Sequence, residues 1–250
     1  MSNDLTKMLA EWPYEPGKIN VRLIAGDDGE QRVQLRLDLG IMQMEVTGRP
    51  DGLRPHGYES LLEHYEAKLD DHTSRAGSAA GFVLSEDDAR ELRDEAVQYY
   101  HRYVCMMVLE DYEAVVRDTT RNMRVLELCG KFAETEADRS VLEQFRPYIM
   151  MMRARALASQ ALKDNEPKAA ILAIDEGLDA LKKHFSEVGQ GEMFDDSNEV
   201  QMLRGMREAL IPKLPVSERS ELKQRLQQAV EQENYELAAI LRDELKMMKD

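Results

Sequence analysis

The amino-acid sequence predicts an α+β protein that is predominantly α-helical, and three features of the chain support this assignment. Apolar and polar residues alternate from about residue 18 to 46, the period of strands with one buried face. From Ser85 onwards apolar residues recur every three or four positions, as on amphipathic helices. Methionine is frequent, with 15 copies, whereas aromatic residues make up 6% of the chain, a balance typical of helical proteins. We expect a small N-terminal antiparallel β-meander with a helix, then a helical array and a C-terminal helical hairpin.

Residues 1–81 are predicted to form a small α+β domain. Its first two strands flank Gly26-Asp27-Asp28-Gly29, whose glycine and aspartate residues tolerate the positive φ angles of a hairpin turn. A third strand is expected from about Ile41 to Thr47, followed by a helix from about Tyr58 to His72. Residues 73–81 are small and polar, and we interpret them as a linker. One face of the first two strands is expected to be apolar and buried, comprising Ile19, Val21, Leu23, Val33, Leu35, Leu37 and Leu39.

The segment between the third strand and this helix, Gly48–Gly57, is dense in glycine and proline and is predicted to be a loop. Its candidate anion-binding residues are Arg49, Arg54 and His56, because glycine-rich turns expose backbone N–H groups and guanidinium forks match phosphate or carboxylate. The alternative is a structural turn in which the arginines pair with Asp51 and neighbouring acids. We prefer this alternative in so acidic a chain.

Residues 82–211 are predicted to be an array of helices. The first begins after Ser85, which forms a capping signal with Asp88 three residues later. Pro147 is expected to kink or divide a long helix, Pro167 to open the next one, and Gly130 to end the second helix. After the helix that Ser85 opens, the expected helices span about 111–129, 136–162, 168–185 and 197–210.

Part of this array faintly resembles tetratricopeptide repeats. The segment Asp111-Tyr112-Glu113-Ala114 resembles the turn between the two helices of a repeat, and small and large residues alternate around Ala154 to Leu178 as on its packing positions. The two candidate units are not separated by the repeat's period of about 34 residues. The interpretation is therefore a helical array with a repeat-like character.

Charge and composition exclude several classes of function. The formal net charge is −15, which argues against direct nucleic-acid binding because phosphate neutralisation requires a surplus of lysine and arginine. No run of apolar residues is long enough to span a membrane, and residues 1–12 do not have the pattern of a signal peptide. The two cysteines, Cys105 and Cys129, lie in apolar helical patterns and are expected to be buried free thiols. These features predict a cytoplasmic protein.

The sequence contains no recognisable catalytic, cofactor or metal motif. The phosphate-binding pattern GxxxxGK[ST] and the zinc pattern HExxH are both absent. His64 and His72 are eight residues apart on one predicted helix, which is too far for a shared metal ion. We therefore expect a protein without enzymatic activity, cofactor or bound metal.

The C-terminal segment, residues 217–250, is the most informative part of the chain. Apolar residues recur at helical spacing on either side of the polar stretch Glu231-Gln232-Glu233-Asn234, as in two helices of about four turns each. The alanines at 229, 238 and 239 allow the two backbones to approach closely. The candidate partner-binding residues are Leu222, Leu226, Ala229, Tyr235, Ala238, Leu241, Arg242, Asp243 and Leu245.

This segment closely resembles the UVR motif, which the nucleotide-excision-repair proteins UvrB and UvrC share. The matching residues are Leu226, Ala229, Glu233-Asn234-Tyr235-Glu236, Ala238-Ala239 and Leu241-Arg242-Asp243-Glu244. The resemblance implies a helical hairpin that pairs with another copy of itself on a partner. Similar hairpins occur in regulators of a bacterial protein-arginine kinase and in Clp chaperone and adaptor proteins. The helicase and nuclease parts of UvrB and UvrC are absent, so the resemblance does not imply those activities.

A hairpin of this size is expected to need a surface on which to dock. Chains below about 40 residues seldom bury enough apolar surface to fold alone. Pro212 and Pro215 precede the hairpin and favour its projection from the rest of the protein. It is expected to bind a protein that carries a UVR motif or a similar hairpin, or to self-associate. The alternatives are that it packs against its own chain as two further helices, or that function resides in an anion-binding N-terminal domain.

Overall fold

A computed structural model describes residues 4–210, 218–231, 237–238 and 240–242. It confirms the predicted fold class, α+β and mostly α-helical. The chain divides into two compact units, Met1–Arg207 and Glu208–Asp250, which we call the body and the tail unit. The body contains the N-terminal sheet and most of the helices.

The order of elements begins with a short helix and three strands. Helix α1 spans Thr6–Glu11, and the strands are β1 (Asn20–Ala25), β2 (Gln31–Leu37) and β3 (Gly40–Glu45). The helices that follow are α2 (Leu61–Ala76), α3 (Glu86–Val108), α4 (Tyr112–Phe132), α5 (Glu136–Ser140), α6 (Arg146–Lys163), α7 (Pro167–Glu187), α8 (Asn198–Leu210) and α9 (Glu218–Glu231). Short 3₁₀ turns lie at Pro55–Gly57, Glu143–Phe145 and Gly191–Met193.

The three strands form an antiparallel meander in the order β1-β2-β3, as predicted. The predicted turn closes the first hairpin: the backbone N–H of Gly26 donates to the carbonyl of Glu30 at 2.8 Å, and Gly29 adopts a φ of 84°. The second connection differs from the prediction. Strand β2 ends at Leu37 and a tight turn follows, so Leu37 and Leu39 are exposed instead of buried. Ile19 and Leu23, just before and within the edge strand β1, were also predicted to be buried and are exposed.

The polar face of β2 is more buried than its pattern predicts. Gln34 and Arg36 are both buried, whereas Leu35 on the alternate face is only half-buried. The Gln34 side chain accepts a hydrogen bond from Arg22 at 2.8 Å and donates to Gln43 at 2.8 Å, so the polar row crosses all three strands. Hydrogen bonding within the row compensates for the hydrogen bonds to water that the Gln34 side chain loses on burial.

Local capping and proline signals place most of the helix ends correctly. Ser85 and Asp88 form the predicted capping box at the start of α3. Pro147 divides the predicted long helix and lies in the first turn of α6, and Pro167 opens α7 as predicted. Gly130 does not end α4, which continues to Phe132, and helix α2 extends into the predicted linker, to Ala76.

The helices of the body pack mainly against their neighbours in sequence. Helix α3 packs on α4, α4 on α6, and α6 on α7, which joins the helices in a continuous series. The closest approach between α6 and α7 is at Gly177, where a Cβ atom would lie 2.5 Å from the Cβ of Ala154. A larger residue at either position would force these two helices apart.

A buried ion pair joins α3, α4 and the segment after β3. The guanidinium of Arg102 donates to both oxygens of Asp118 at 2.7 and 2.9 Å, and both side chains are inaccessible to water. The same guanidinium donates to the carbonyls of Glu45 and Gly48 at 3.0 and 2.8 Å. Bidentate pairing and the two carbonyls together satisfy a charge that would otherwise be costly to bury.

A second buried carboxylate, Glu95 on α3, holds the start of α2. It accepts the backbone N–H of Leu61 at 2.8 Å, and it forms ion pairs with Arg49, at 3.1 Å, and with Arg121. The first N–H groups of a helix have no partner within the helix, so Glu95 caps α2 from a neighbouring helix. Arg49, one of the candidate anion ligands in Gly48–Gly57, is thereby held in an internal ionic network.

We predict that Asp118→Asn lowers the free energy of unfolding by about 3–5 kcal/mol, because Arg102 would keep a buried charge without its counter-charge. Denaturant unfolding of the full-length protein measures the change. Asp87→Asn is the matched control, since Asp87 pairs with Arg90 on an exposed surface and contributes about 0–1 kcal/mol. Equal effects of the two substitutions would contradict a structural role for the buried pair.

Candidate protein-interaction site

The tail unit contains the segment that the sequence predicts to be a helical hairpin. Its first helix, α9, spans Glu218–Glu231, which agrees with the predicted position. Residues 237–238 and 240–242 are also helical, on the predicted second helix. The predicted polar turn lies largely outside the described residues.

The two sides of the tail unit meet in a small apolar cluster, which we call the seam. Ala229, Ala238 and Leu241 are buried, Leu241 to 2% exposure, and Leu226 packs against them. Two of these four described residues are alanines, whose small side chains contribute little apolar surface to the contact between the two helical segments. Burial of these described residues contributes a few kcal/mol to the tail unit, at about 25 cal/mol per Å² of apolar surface removed from water.

Apolar side chains also lie outside the seam, on the exposed surface of the tail unit. Val230 is 50% exposed and Ile240 is 60% exposed. Leu237, three residues before Ile240, is 38% exposed. We call these three residues the outer apolar residues. Exposed apolar side chains indicate an interaction surface where they form a contiguous patch.

The structure separates the predicted partner-binding residues into three groups. Leu226, Ala229, Ala238 and Leu241 lie in the seam. Arg242 is exposed on the second helical segment, and Leu222 lies in α9. The side chain of Leu222 lies outside the described part of the chain, as do Tyr235, Asp243 and Leu245.

Two residues of the outer surface were missed by the sequence-based prediction. Leu237 and Ile240 are three residues apart, so they share a face of the second helix that is distinct from the seam face of Ala238 and Leu241. A search for a second apolar stripe on this helix would have found them. Val230, which follows the buried Ala229 in α9, is half-exposed.

The other predicted candidates, in Gly48–Gly57, lie in the body and are engaged by acidic and aromatic groups. Arg49 pairs with Glu95 and, at 3.3 Å, with Asp51, while Arg54 lies 3.5 Å from Glu59. His56 adopts a left-handed φ of 51° and stacks on His64, with ring centroids 4.1 Å apart. These contacts are those of a structural turn.

Reactive and metal-ligating groups are not brought together in the described part of the chain. Cys105 and Cys129 are buried free thiols, and burial raises the pKa of Cys105 to about 12 and that of Cys129 to about 11. Both thiols therefore stay protonated and unreactive near neutral pH. No group of three potential metal ligands is found among the described side chains.

Comparison with models of protein families finds a match in the C-terminal segment. Residues 217–250 match the family model of the UVR motif, described as the UvrB/uvrC motif. This confirms the resemblance that the sequence indicates, whereas the tetratricopeptide-like character of the middle region is not confirmed. Comparison with curated proteins and with solved structures finds no match. None of the described helices has the length and apolar character needed to cross a membrane.

We predict that Ala229→Leu destabilises the tail unit by about 1–3 kcal/mol, because the seam has no space for a larger side chain beside Ala238 and Leu241. Amide hydrogen exchange should become faster in Glu218–Glu231 and stay unchanged in the body. Gln228→Leu, at an exposed position on the same helix, is the matched control and should leave exchange unaltered. Unchanged exchange in both variants would contradict the seam.

A second prediction concerns His64. Burial lowers its pKa below the ordinary value, and the nearby charges of His56 and Lys68 lower it further. Because the unfolded chain then binds a proton more readily than the folded one, stability falls as pH decreases through the ordinary histidine pKa of about 6.5 and levels off below the folded pKa. In unfolding experiments from pH 7.5 to 5, about the range of histidine titration, His64→Gln should remove this part of the pH dependence. His72→Gln should retain it, and equal profiles for wild type and His64→Gln would contradict the assignment.

Proposed function

We propose that this protein is a non-enzymatic adaptor whose tail, residues 217–250, binds a protein partner that carries a UVR motif or a similar helical hairpin. The match of these residues to the UvrB/uvrC motif is the observation that carries the proposal. In UvrB and UvrC this motif is involved in protein and DNA interactions. The net charge of −15 favours a protein over DNA as the ligand here.

The short length of the segment supports the proposal. Its 34 residues (217–250) are fewer than in the chains that usually fold without help, and among the described residues the seam comprises four side chains, two of them alanine. Binding a second hairpin would add apolar contacts to those of the seam. The partner would stabilise the tail unit in proportion to its concentration over its Kd.

The outer apolar residues are the contact surface that we propose. Val230 and Ile240 expose half or more of their surface, and neither is part of the seam. A second helical hairpin laid against them would bury both residues and complete a four-helix arrangement, a common form of helix bundle. Arg242 lies on the same segment and would contribute polar contacts at the rim.

The setting that we propose is nucleotide-excision repair, in the cytoplasm, with UvrB or UvrC as the partner. Regulation of a Clp-type protease or of an arginine kinase is the alternative, since similar hairpins occur there. An anion-binding N-terminal domain is less well supported, because Arg49 and Arg54 already pair with carboxylates. Measured binding to each purified candidate partner distinguishes these settings.

The experiment compares binding of full-length protein and of protein truncated after residue 216 to immobilised UvrB and UvrC. We predict that truncation abolishes binding while the body keeps its helical circular dichroism and its unfolding midpoint. Sedimentation of the full-length protein alone measures self-association through the same segment. Equal binding by both forms would contradict the proposal.

Point substitutions localise the contact. Ile240→Glu and Val230→Glu should each weaken binding at least about tenfold, since they place a charge in an apolar interface and such losses commonly exceed about 1.4 kcal/mol. Gln228→Glu is the matched control, because it adds the same charge at an exposed polar position of α9. Unaltered affinity in the first two variants, or an equal loss in the control, would exclude this surface.

A further inference from the structure

A cavity of about 540 Å³ opens on the body, lined by residues of α3, α4, α8, the start of α6 and the connection before it. Its volume lies within the range of small-molecule sites, about 300–1,000 Å³. All of its lining residues lie before Arg207, so the cavity is a property of the body alone. The adaptor function proposed above makes no use of it.

Four aromatic rings line this cavity: those of Tyr100, Tyr103, Phe145 and Tyr148. Tyr103 is buried at its base, with 1% exposure, while Tyr100 and Phe145 are exposed at its rim. The ring centroids of Tyr100 and Tyr103 are 5.5 Å apart with perpendicular planes, and those of Tyr100 and Tyr148 are 6.1 Å apart at 56°. Rings at such angles line a space from several sides, whereas parallel rings would stack on one another.

The charged groups of the cavity leave one carboxylate without an ionic partner. Arg93 is neutralised by Asp138 at 2.5 Å. Glu199 accepts a hydrogen bond from the hydroxyl of Ser197 at 2.7 Å, and within the described part of the chain it forms no ion pair. It lies in the first turn of α8. Aromatic rings are therefore prominent in the lining, and when Asp138 is counted with Arg93 the charges at the cavity sum to −1.

The buried amide of the cavity lining already forms hydrogen bonds within the protein. The amide of Asn122 donates to the carbonyl of Ala96 at 2.9 Å and accepts from Arg121 at 3.1 Å. A ligand therefore meets aromatic faces, the tyrosine hydroxyls and the Glu199 carboxylate. No unpaired guanidinium or ammonium group lines the cavity among the described residues, which disfavours an anion.

We propose that this cavity binds an organic cation of the alkylammonium class. The faces of aromatic rings carry negative electrostatic potential and attract cations that lie within about 6 Å of the ring centre, most strongly where water is excluded. Glu199 adds a full negative charge on the same cavity, and the chain's net charge of −15 raises the local concentration of cations. An apolar substituent of the cation would contact Val97 and Ile149 in the same lining.

The test is a titration of the full-length protein with choline, followed by the NMR signals of the ligand methyl groups and the tyrosine rings. The control ligand is 3,3-dimethylbutan-1-ol, in which carbon replaces the charged nitrogen at nearly the same shape. We predict that choline binds at least about fivefold more tightly at constant ionic strength. Hexyltrimethylammonium should bind about tenfold more tightly than choline, since its chain buries further apolar surface. Equal binding of choline and the neutral alcohol, or of choline and hexyltrimethylammonium, would overturn the proposal.

Substitutions test whether choline binds in this cavity. Tyr148→Leu and Glu199→Gln should each weaken choline binding about fivefold, whereas Tyr148→Phe, which keeps the ring, should retain it. Glu192→Gln removes the same charge from an exposed residue outside the lining and serves as the matched control. Thermal unfolding checks that each variant is folded, and Tyr100→Leu replaces Tyr148→Leu if that variant is not. Undiminished affinity in both the ring and the carboxylate variants would show that choline binds elsewhere.

Discussion

Two carboxylates that water does not reach, Glu95 and Asp118, hold the sheet and the first helices of the body together. Through Arg102, Asp118 holds the carbonyls of Glu45, the last residue of β3, and of Gly48, and Glu95 caps the start of α2. The sheet, α2 and the α3–α4 pair are thereby joined by charge-assisted hydrogen bonds, in addition to apolar packing. The α3–α4 pair that they join also contributes Tyr100, Tyr103 and Asn122 to the lining of the cavity.

The tail unit differs from the body in the interactions that stabilise it. The body encloses a continuous apolar core and buried ion pairs, whereas the described part of the tail unit contributes four residues to the seam. A helical hairpin of this length is close to the limit at which it folds alone, and any partner that binds the folded form would shift that equilibrium. Under the proposed function, folding and binding of this segment are coupled, which suits an interaction that has to be made and released.

Local signals in the sequence specify most of the secondary structure but little of the tertiary structure. Ser85 and Pro147 act within a few residues, so α3 and α6 begin where predicted. The burial of Gln34 depends on partners in other strands, and the pairing of Arg102 with Asp118 joins two helices, so neither has a local signature. The UVR motif was recognisable because its residues are contiguous. The cavity was not predicted, because its lining comes from separate helices that only the fold brings together.

If the tail unit completes its apolar packing on a partner protein, the partner will slow the opening of its helices. Amide hydrogen exchange of the full-length protein, with and without an excess of UvrB or UvrC, measures that opening. We expect slower exchange in α9 and in residues 237–242 when the partner is present, with unchanged exchange in Met1–Arg207. Protection that appears in the body while the tail unit exchanges as before would contradict it.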